Sequence, residues 1–205
     1  MPGALVHRLV VAAIIATFGA ACNPGPMDER GYETELATAR TEKDRFLAQD
    51  RESPVPANLK AELLPVRYYP IDPAFNIPAV LKPSADQQTI SMPTSAGTAD
   101  QMQRVGTLEF TVKGQALRLA AFAPAATRVE RLFVPFRDAT TGKTTYEAGR
   151  YLDLDRTGTG IYQLDFNRAY NPNCYYSPTW ACPLPPRENT LPIEITAGEQ
   201  AQQSH

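Results

Sequence analysis

Residues 106–122 read GTLEFTVKGQALRLAAF, and the pair Lys113-Gly114 in the middle of that stretch decides the fold. GTLEFTV and QALRLAAF are short, apolar-rich runs of strand length, and a glycine-containing turn between two such runs is a hairpin signal. A hairpin makes its two strands antiparallel neighbours. Working outward, further runs of the same kind occur at VRYYPI (66–71), IPAVLK (77–82), QTISM (88–92), RLFVPF (131–136), RYLDLD (150–155), IYQLDFN (161–167) and LPIEIT (191–196). Pro, Gly, Asp or Ser separates them, and many of the 19 prolines fall between them. Helical segments do not alternate with these runs, which argues against a parallel crossover sheet. The expected class is mainly β (α+β): an antiparallel sheet or barrel-like roll of short strands with an N-terminal helix.

That helix is expected over residues 28–49. Tyr32, Leu36, Ala39, Phe46 and Leu47 recur there at roughly helical spacing, and Glu, Lys, Arg and Ala fill the remainder. Ser53-Pro54 stops it, because a residue before proline is pushed out of the helical region. PANLKAELL (56–64) is expected to add one or two turns.

Ahead of the helix, residues 1–21 have the character of a signal peptide. Arg8 precedes the apolar run LVVAAIIATF (9–18), and the small residues of GAAC end at Cys22. The run is too short to span a bilayer, which takes about 20 apolar residues. GAAC resembles the lipobox of bacterial lipoproteins, with Gly19 where that pattern usually has leucine. The resemblance implies lipidation of Cys22, with acyl chains such as palmitate. It also implies a membrane as partner and a place in the bacterial cell envelope, facing the extracytoplasmic side. Cleavage before an unmodified Cys22 is the alternative. Residues 22–29 then form a tether, 30–199 a single β-rich domain, and 200–205 a disordered tail.

Composition closes several function classes. Twenty basic residues against 22 acidic ones form no cationic stripe, so no nucleic-acid partner is expected. The two histidines are His7 in the leader and His205 at the last position. A mature chain without an interior histidine has no Ser-His or Cys-His nucleophile and lacks the commonest zinc ligand. PTSAG around Ser95 lacks the first glycine of a nucleophile elbow. ATTGKTT (139–145) ends like a phosphate-binding loop, but Arg137 stands where the first glycine belongs. DLDRTG (153–158) starts like a calcium loop, yet Leu164 occupies the position of the bidentate glutamate. Both read as turns, and neither a metal nor a cofactor is expected.

Strand alternation orients the polar residues that remain. In 150–155 it puts Arg150, Leu152 and Leu154 on one face and Tyr151, Asp153 and Asp155 on the other. In 161–168 it puts Tyr162, Leu164, Phe166 and Arg168 opposite Ile161, Gln163, Asp165 and Asn167. Joining these runs through RTGTG as a hairpin sets Leu152 against Leu164. Arg150 and Arg168 then point to the apolar side, where a guanidinium needs a carboxylate or carbonyl oxygens. Asp138 and Asp165 are the expected partners of Arg150. Tyr151, Asp153, Gln163, Asp165 and Asn167 would share one polar patch. LDFNRAYNPNC (164–174) is expected to leave the sheet at Arg168 and turn through residues 170–173.

LFVPFRDATTGKTTYEAGRYLDLD (132–155) and LDFNRAYNPNCYYSPTWACPLPPRENTLPIEITAGE (164–199) resemble the bacterial family called domain of unknown function 1684. The resemblance covers roughly residues 32–199, and Asp-Phe-Asn-x-Ala-Tyr-Asn-Pro is its most specific run. The family pattern takes in Asp138, Thr145, Tyr146, Gly149, Arg150, Asp165, Asn167, Tyr170, Asn171, Pro172, Cys174 and Cys182. This sequence departs from it at Glu147 and Asn173. The resemblance implies a fold unit and a shared polar cluster but no reaction.

The candidate ligand-binding residues are accordingly Asp138, Tyr146, Arg150, Asp165, Asn167, Tyr170 and Asn171. Three readings stay open. The cluster holds a corner of the fold together, or it binds a polar ligand or envelope component. Alternatively it is a hydrolase-type site using a carboxylate among Asp138, Asp153 and Asp165, with Tyr146 or Tyr170 as acid. With Cys22 given to the anchor, Cys174 and Cys182 remain in an oxidising setting, where a disulfide is expected. Two free thiols or a redox pair are the rivals.

Overall fold

The computed structural model describes residues 28–202 except 87 and 126–127. The expected signal peptide and lipidated Cys22 lie outside the described residues. Chain order begins with helix α1 (Glu29–Gln49), capped where the Asp28 side chain accepts from the Gly31 amide. Its buried face carries Tyr32, Leu36 and Leu47. Phe46, one residue off that stripe, is 42% exposed, correcting its expected place on the inner face. The helix ends as the sequence requires: Asp50 is extended, and Ser53 Oγ donates to the Leu47 carbonyl at 2.7 Å. Short turns follow at Ala57–Leu59 and in α2 (Lys60–Leu63). No helix among the described residues is long and apolar enough to cross a membrane.

Seven strands form one antiparallel sheet: β1 (Asn76–Pro83), β2 (Thr89–Pro93), β3 (Ala99–Val112), β4 (Gln115–Pro124), β5 (Arg131–Phe136), β6 (Arg150–Asp155) and β7 (Ile161–Asp165). Their order is β6-β5-β4-β3-β1-β7, with β2 beside the first half of β3, and the sheet rolls into a nearly closed barrel. The β3–β4 hairpin is the one expected. Lys113 and Gly114 both have positive φ (47° and 79°), as a two-residue turn matched to strand twist demands. The long β3 changes partner through a register shift between Arg104 and Gly106. A side chain at Gly106 would meet the Lys82 carbonyl at 2.4 Å, so only glycine lets β1 approach there.

Inward alternation builds the core. Leu108, Phe110 and Val112 of β3, Leu119 and Ala121 of β4, and Leu132, Val134 and Phe136 of β5 meet Leu152, Leu154, Leu164 and Phe166. A second cluster of Leu47, Val55, Val66 and Tyr176 seats α1 on the barrel. A third, of Met92, Met102, Ala120 and Phe122, lies apart from both.

Three expectations need correction. β6 and β7 do not form a hairpin: Leu152 stands opposite Val134 on β5, and Leu164 opposite Ile77 on β1. Alternation specified the buried face correctly but cannot specify the partner, and the 156–160 link steps between the two ends of the sheet. VRYYPI and LPIEIT are not ladder strands. They carry isolated contacts, Tyr68 with Glu199, and Leu191 N–H to the Arg137 carbonyl at 2.8 Å. The ordered chain also passes Glu199: Gln200 and Ala201 amides bond the carbonyls of Arg67 and Thr144, and Gln202 N–H bonds the Tyr175 hydroxyl.

Candidate functional site

Arg150 begins β6 with its side chain aimed into the barrel, where its exposure is 1%. Its Nη2 donates to Asp138 Oδ2 at 2.7 Å and to the Ile195 carbonyl at 2.9 Å. Its Nη1 donates to the carbonyls of Ala197 and Glu199. Asp138 Oδ1 accepts from the Thr140 amide at 2.7 Å and from the Thr140 hydroxyl, which also bonds Thr145 Oγ1 at 2.9 Å. Burial lowers the Arg150 pKa while Asp138 raises it, and a guanidinium starts so high that it stays charged. Of the two expected partners, Asp138 is the one chosen. The cluster clamps residues 195–199 across the end of the barrel.

Asp165 and Asn167 form a separate cluster at the end of β7. Asp165 Oδ1 accepts from the Tyr32 hydroxyl at 2.8 Å and from the Asn167 amide at 3.0 Å. Asn167 bonds both the amide and the carbonyl of Asp72, at 3.0 and 2.8 Å. These contacts pin α1 and the segment before β1 to one corner. Burial, then the Asp165 hydrogen bond, push the Tyr32 pKa upward. The chain leaves the sheet at Asp165, earlier than expected, into a 3-10 turn at Phe166–Arg168. Because that turn breaks alternation, Arg168 swings outward, correcting its inward placement. It bonds Glu35 at 2.7 Å and Asp165 at 3.2 Å.

Asn171 belongs to a third cluster around Glu199, a residue that sequence reasoning missed. Glu199 is 1% exposed. Its carboxylate accepts from the Asn171 amide at 2.8 Å, from the hydroxyls of Tyr176 and Tyr68 at 3.4 and 3.5 Å, and from Lys43 Nζ. The preceding Gly198, with φ of +76° and a close approach to the carbonyls of Ala169 and Phe166, holds a packed turn rather than a tail. Asn171 Nδ2 donates to the Gln200 carbonyl at 3.0 Å, while Asn171 Oδ1 is buried without a partner among the described residues.

Tyr170 is placed differently. It bridges the end strand β6 by paired backbone bonds with Tyr151 (2.9 and 3.0 Å), and its hydroxyl donates to Asp153 Oδ2 at 2.8 Å. The Tyr151 ring stands edge-on to Phe133 and to Tyr170, at 4.7 and 5.8 Å between centroids. Its hydroxyl donates to the Pro183 carbonyl. These aromatics, with Asp153, Asp100 and Trp180, line a cleft of about 540 Å³. Trp180 is 43% exposed at its rim. A smaller cavity of about 390 Å³ at the β6–β7 seam is bordered by Tyr32, Asp153, Asp165 and Arg168.

The cysteine loop forms one wall of the cleft. Cys174 and Cys182 are free thiols here, where a bridge was expected; Cys182 Sγ accepts from the Cys174 amide at 3.0 Å. Burial, with the Cys174 side chain adding to it, pushes the Cys182 thiol up to about 12, the opposite of what an activated nucleophile needs. Tyr146 packs edge-on against Tyr175 at 5.2 Å, and its pKa is raised chiefly by burial, with Cys174 adding to it.

The seven candidate ligand-binding residues therefore do not form one cluster. Asp138 joins Arg150, Asp165 joins Asn167, Asn171 joins Glu199, and Tyr146 lies against the cysteine loop. Gln163 turns away to bond Asn76 Oδ1 at 2.6 Å. Among the expected acid–carboxylate pairs, Tyr170–Asp153 is the one bonded at an open cavity. Among the described residues, no group of three or more His, Cys, Asp or Glu side chains comes together to hold a metal ion.

The model of a family described as a protein of unknown function, DUF1684, matches residues 62–200. The chain is also similar to an uncharacterized protein of Haloarcula marismortui whose structure was solved in solution by NMR. The two are 38% identical over 87% of this chain and 98% of that one, with a TM-score of 0.69. No curated protein matches.

Proposed function

The chain belongs to DUF1684, a family of proteins of unknown function, and from that premise we infer that it is a ligand-binding protein of the cell envelope. The observation that carries this reading is the contrast in availability of its polar groups. Asp138 and Arg150 spend their bonds inside the fold, whereas the cleft beside them keeps about 540 Å³ open. That volume is within the usual range for small-molecule sites, and its walls combine aromatic surface with a few polar groups. A larger concavity of about 970 Å³ lies beside β3 and β4, but Glu109, Arg118 and Glu188 line it with long charged side chains. Long charged side chains lose more rotamer freedom on binding than rings do, which favours the aromatic cleft.

The domain sits outside the cytoplasm on a lipid carried by Cys22. Support for this comes from the leader and the small residues before Cys22. Labelling with a fatty-acid analogue should mark the wild type and not Cys22→Ala; equal labelling of both removes the anchor. Binding is tested by a thermal-shift screen of metabolites and envelope fragments, in which a cleft ligand raises the melting temperature with concentration. That stabilisation should be lost in Trp180→Ala. A ligand whose stabilisation survives in Trp180→Ala and Asp153→Asn would move the binding site elsewhere.

A further inference from the structure

The cleft has a chemical polarity that narrows its ligand. Both tyrosine hydroxyls in its wall, and one N–H of its arginine, are committed within the protein. The Tyr151 hydroxyl donates to the Pro183 carbonyl, the Tyr170 hydroxyl to Asp153, and Arg131 Nε to Asp155 at 2.9 Å. Burial raises the pKa of both tyrosines, which keeps the phenols protonated and those bonds in place. What remains is π surface from Phe133, Tyr151, Trp180 and Tyr170, whose ring already carries Lys43 Nζ over it at 5.2 Å, together with the carboxylates of Asp100 and Asp153. Arg131 is the cation at the wall, and it is engaged by Asp155. The lining thus carries two carboxylates against one paired guanidinium. Ring faces and carboxylates in excess of the one lining guanidinium attract the same partner: a cation with apolar substituents, which sheds its hydration more readily than a compact inorganic ion.

We propose that the cleft binds a small organic cation, a quaternary or alkylated ammonium group held against Tyr151, Tyr170 and Trp180 with Asp153 as counter-charge. The proposal rests on the cleft being the binding site. Such a group occurs both in free solutes and in lipid headgroups, and the chemistry recognised is the same.

Trp180 is the single tryptophan of the chain, so its emission reports directly on the cleft. Choline chloride should change that emission saturably, and 3,3-dimethylbutanol, its uncharged carbon isostere, should bind at least about tenfold more weakly. Asp153→Asn preserves an acceptor for Tyr170 while removing the charge. It should weaken choline binding by roughly fivefold to tenfold, with an unchanged thermal melt in the absence of ligand. Calorimetry on Trp180→Ala should show the same direction of loss. Co-sedimentation of the Cys22→Ala chain, which lacks the proposed anchor, with phosphatidylcholine vesicles separates the sources: binding to choline and vesicles supports a headgroup, and binding to choline alone supports a free solute. Equal affinity for choline and its isostere overturns the cation while leaving the cleft as a binding site. No response to choline, tetramethylammonium or the isostere overturns the cation, and a thermal-shift screen that is also empty removes the binding reading with it.

Discussion

Arg150 and Tyr151 are consecutive residues of β6, yet they belong to opposite regimes. Arg150 enters the barrel, where a carboxylate and three carbonyls use its donors. Tyr151 faces outward into a cleft with volume to spare. Both regions looked alike as a list of polar side chains. The difference lies in whether hydrogen-bonding capacity is spent: a filled polar cluster fixes geometry, while one with unspent groups beside open space can still take a partner.

Alkaline pH should break both regions together and has the largest expected effect. Burial is the first cause raising the pKa of Tyr32, Tyr68, Tyr151, Tyr170 and Tyr176. Unfolded phenols titrate near 10, so above that pH the unfolded chain has released protons the folded one retains. Stability is therefore fully present below about pH 10 and falls as pH rises toward the folded-state values. Spectrophotometric titration should show these tyrosines ionising only with loss of near-UV circular dichroism. Ionisation of all tyrosines near their ordinary value without unfolding would contradict their burial.

Arg150→Met separates the regions. It leaves the Asp138 charge buried and frees residues 195–199, so it should destabilise by about 3–5 kcal/mol in denaturant melts. Asp165→Asn acts at the second cluster, where one carboxylate serves Tyr32, Asn167 and Arg168, and should cost about 1–3 kcal/mol. Unchanged midpoints in both variants would mean that these clusters are not structural. Asp153→Asn should have the smallest effect on stability, leaving the midpoint where it was, because the side chain is exposed. A large drop in its midpoint would erase the distinction between cleft and clamp.

Local chemistry was the legible part of this sequence. Lys113-Gly114 announced its hairpin because a two-residue turn needs positive φ. Arg150 announced an acidic partner because an inward guanidinium cannot remain unpaired. Leu152 and Leu164 were read onto the correct face and the wrong partners, since alternation carries no information about which strand lies alongside. Arg168 was misplaced because a turn of three residues replaced the strand geometry assumed for it. Glu199 escaped notice for a related reason. Its proton donors come from Lys43, Tyr68, Asn171 and Tyr176, residues scattered across the chain, and no local pattern marks a carboxylate assembled that way.

The Glu199 junction also sets an order of assembly. Helix α1 is made early, but two of its fastenings, Lys43 to Glu199 and Tyr32 to Asp165, await residues synthesised more than a hundred positions later. The Arg150 clamp closes on the same late segment. The β3–β4 hairpin needs only neighbouring residues, and Leu47 finds Val55 and Val66 nearby, yet the Lys43 and Tyr32 bonds form only once Glu199 and Asp165 are in place. Such non-local closure slows folding, since the loop entropy must be met before the contacts that offset it exist. The two ends of the described fold are thus tied to each other rather than each to its own neighbourhood.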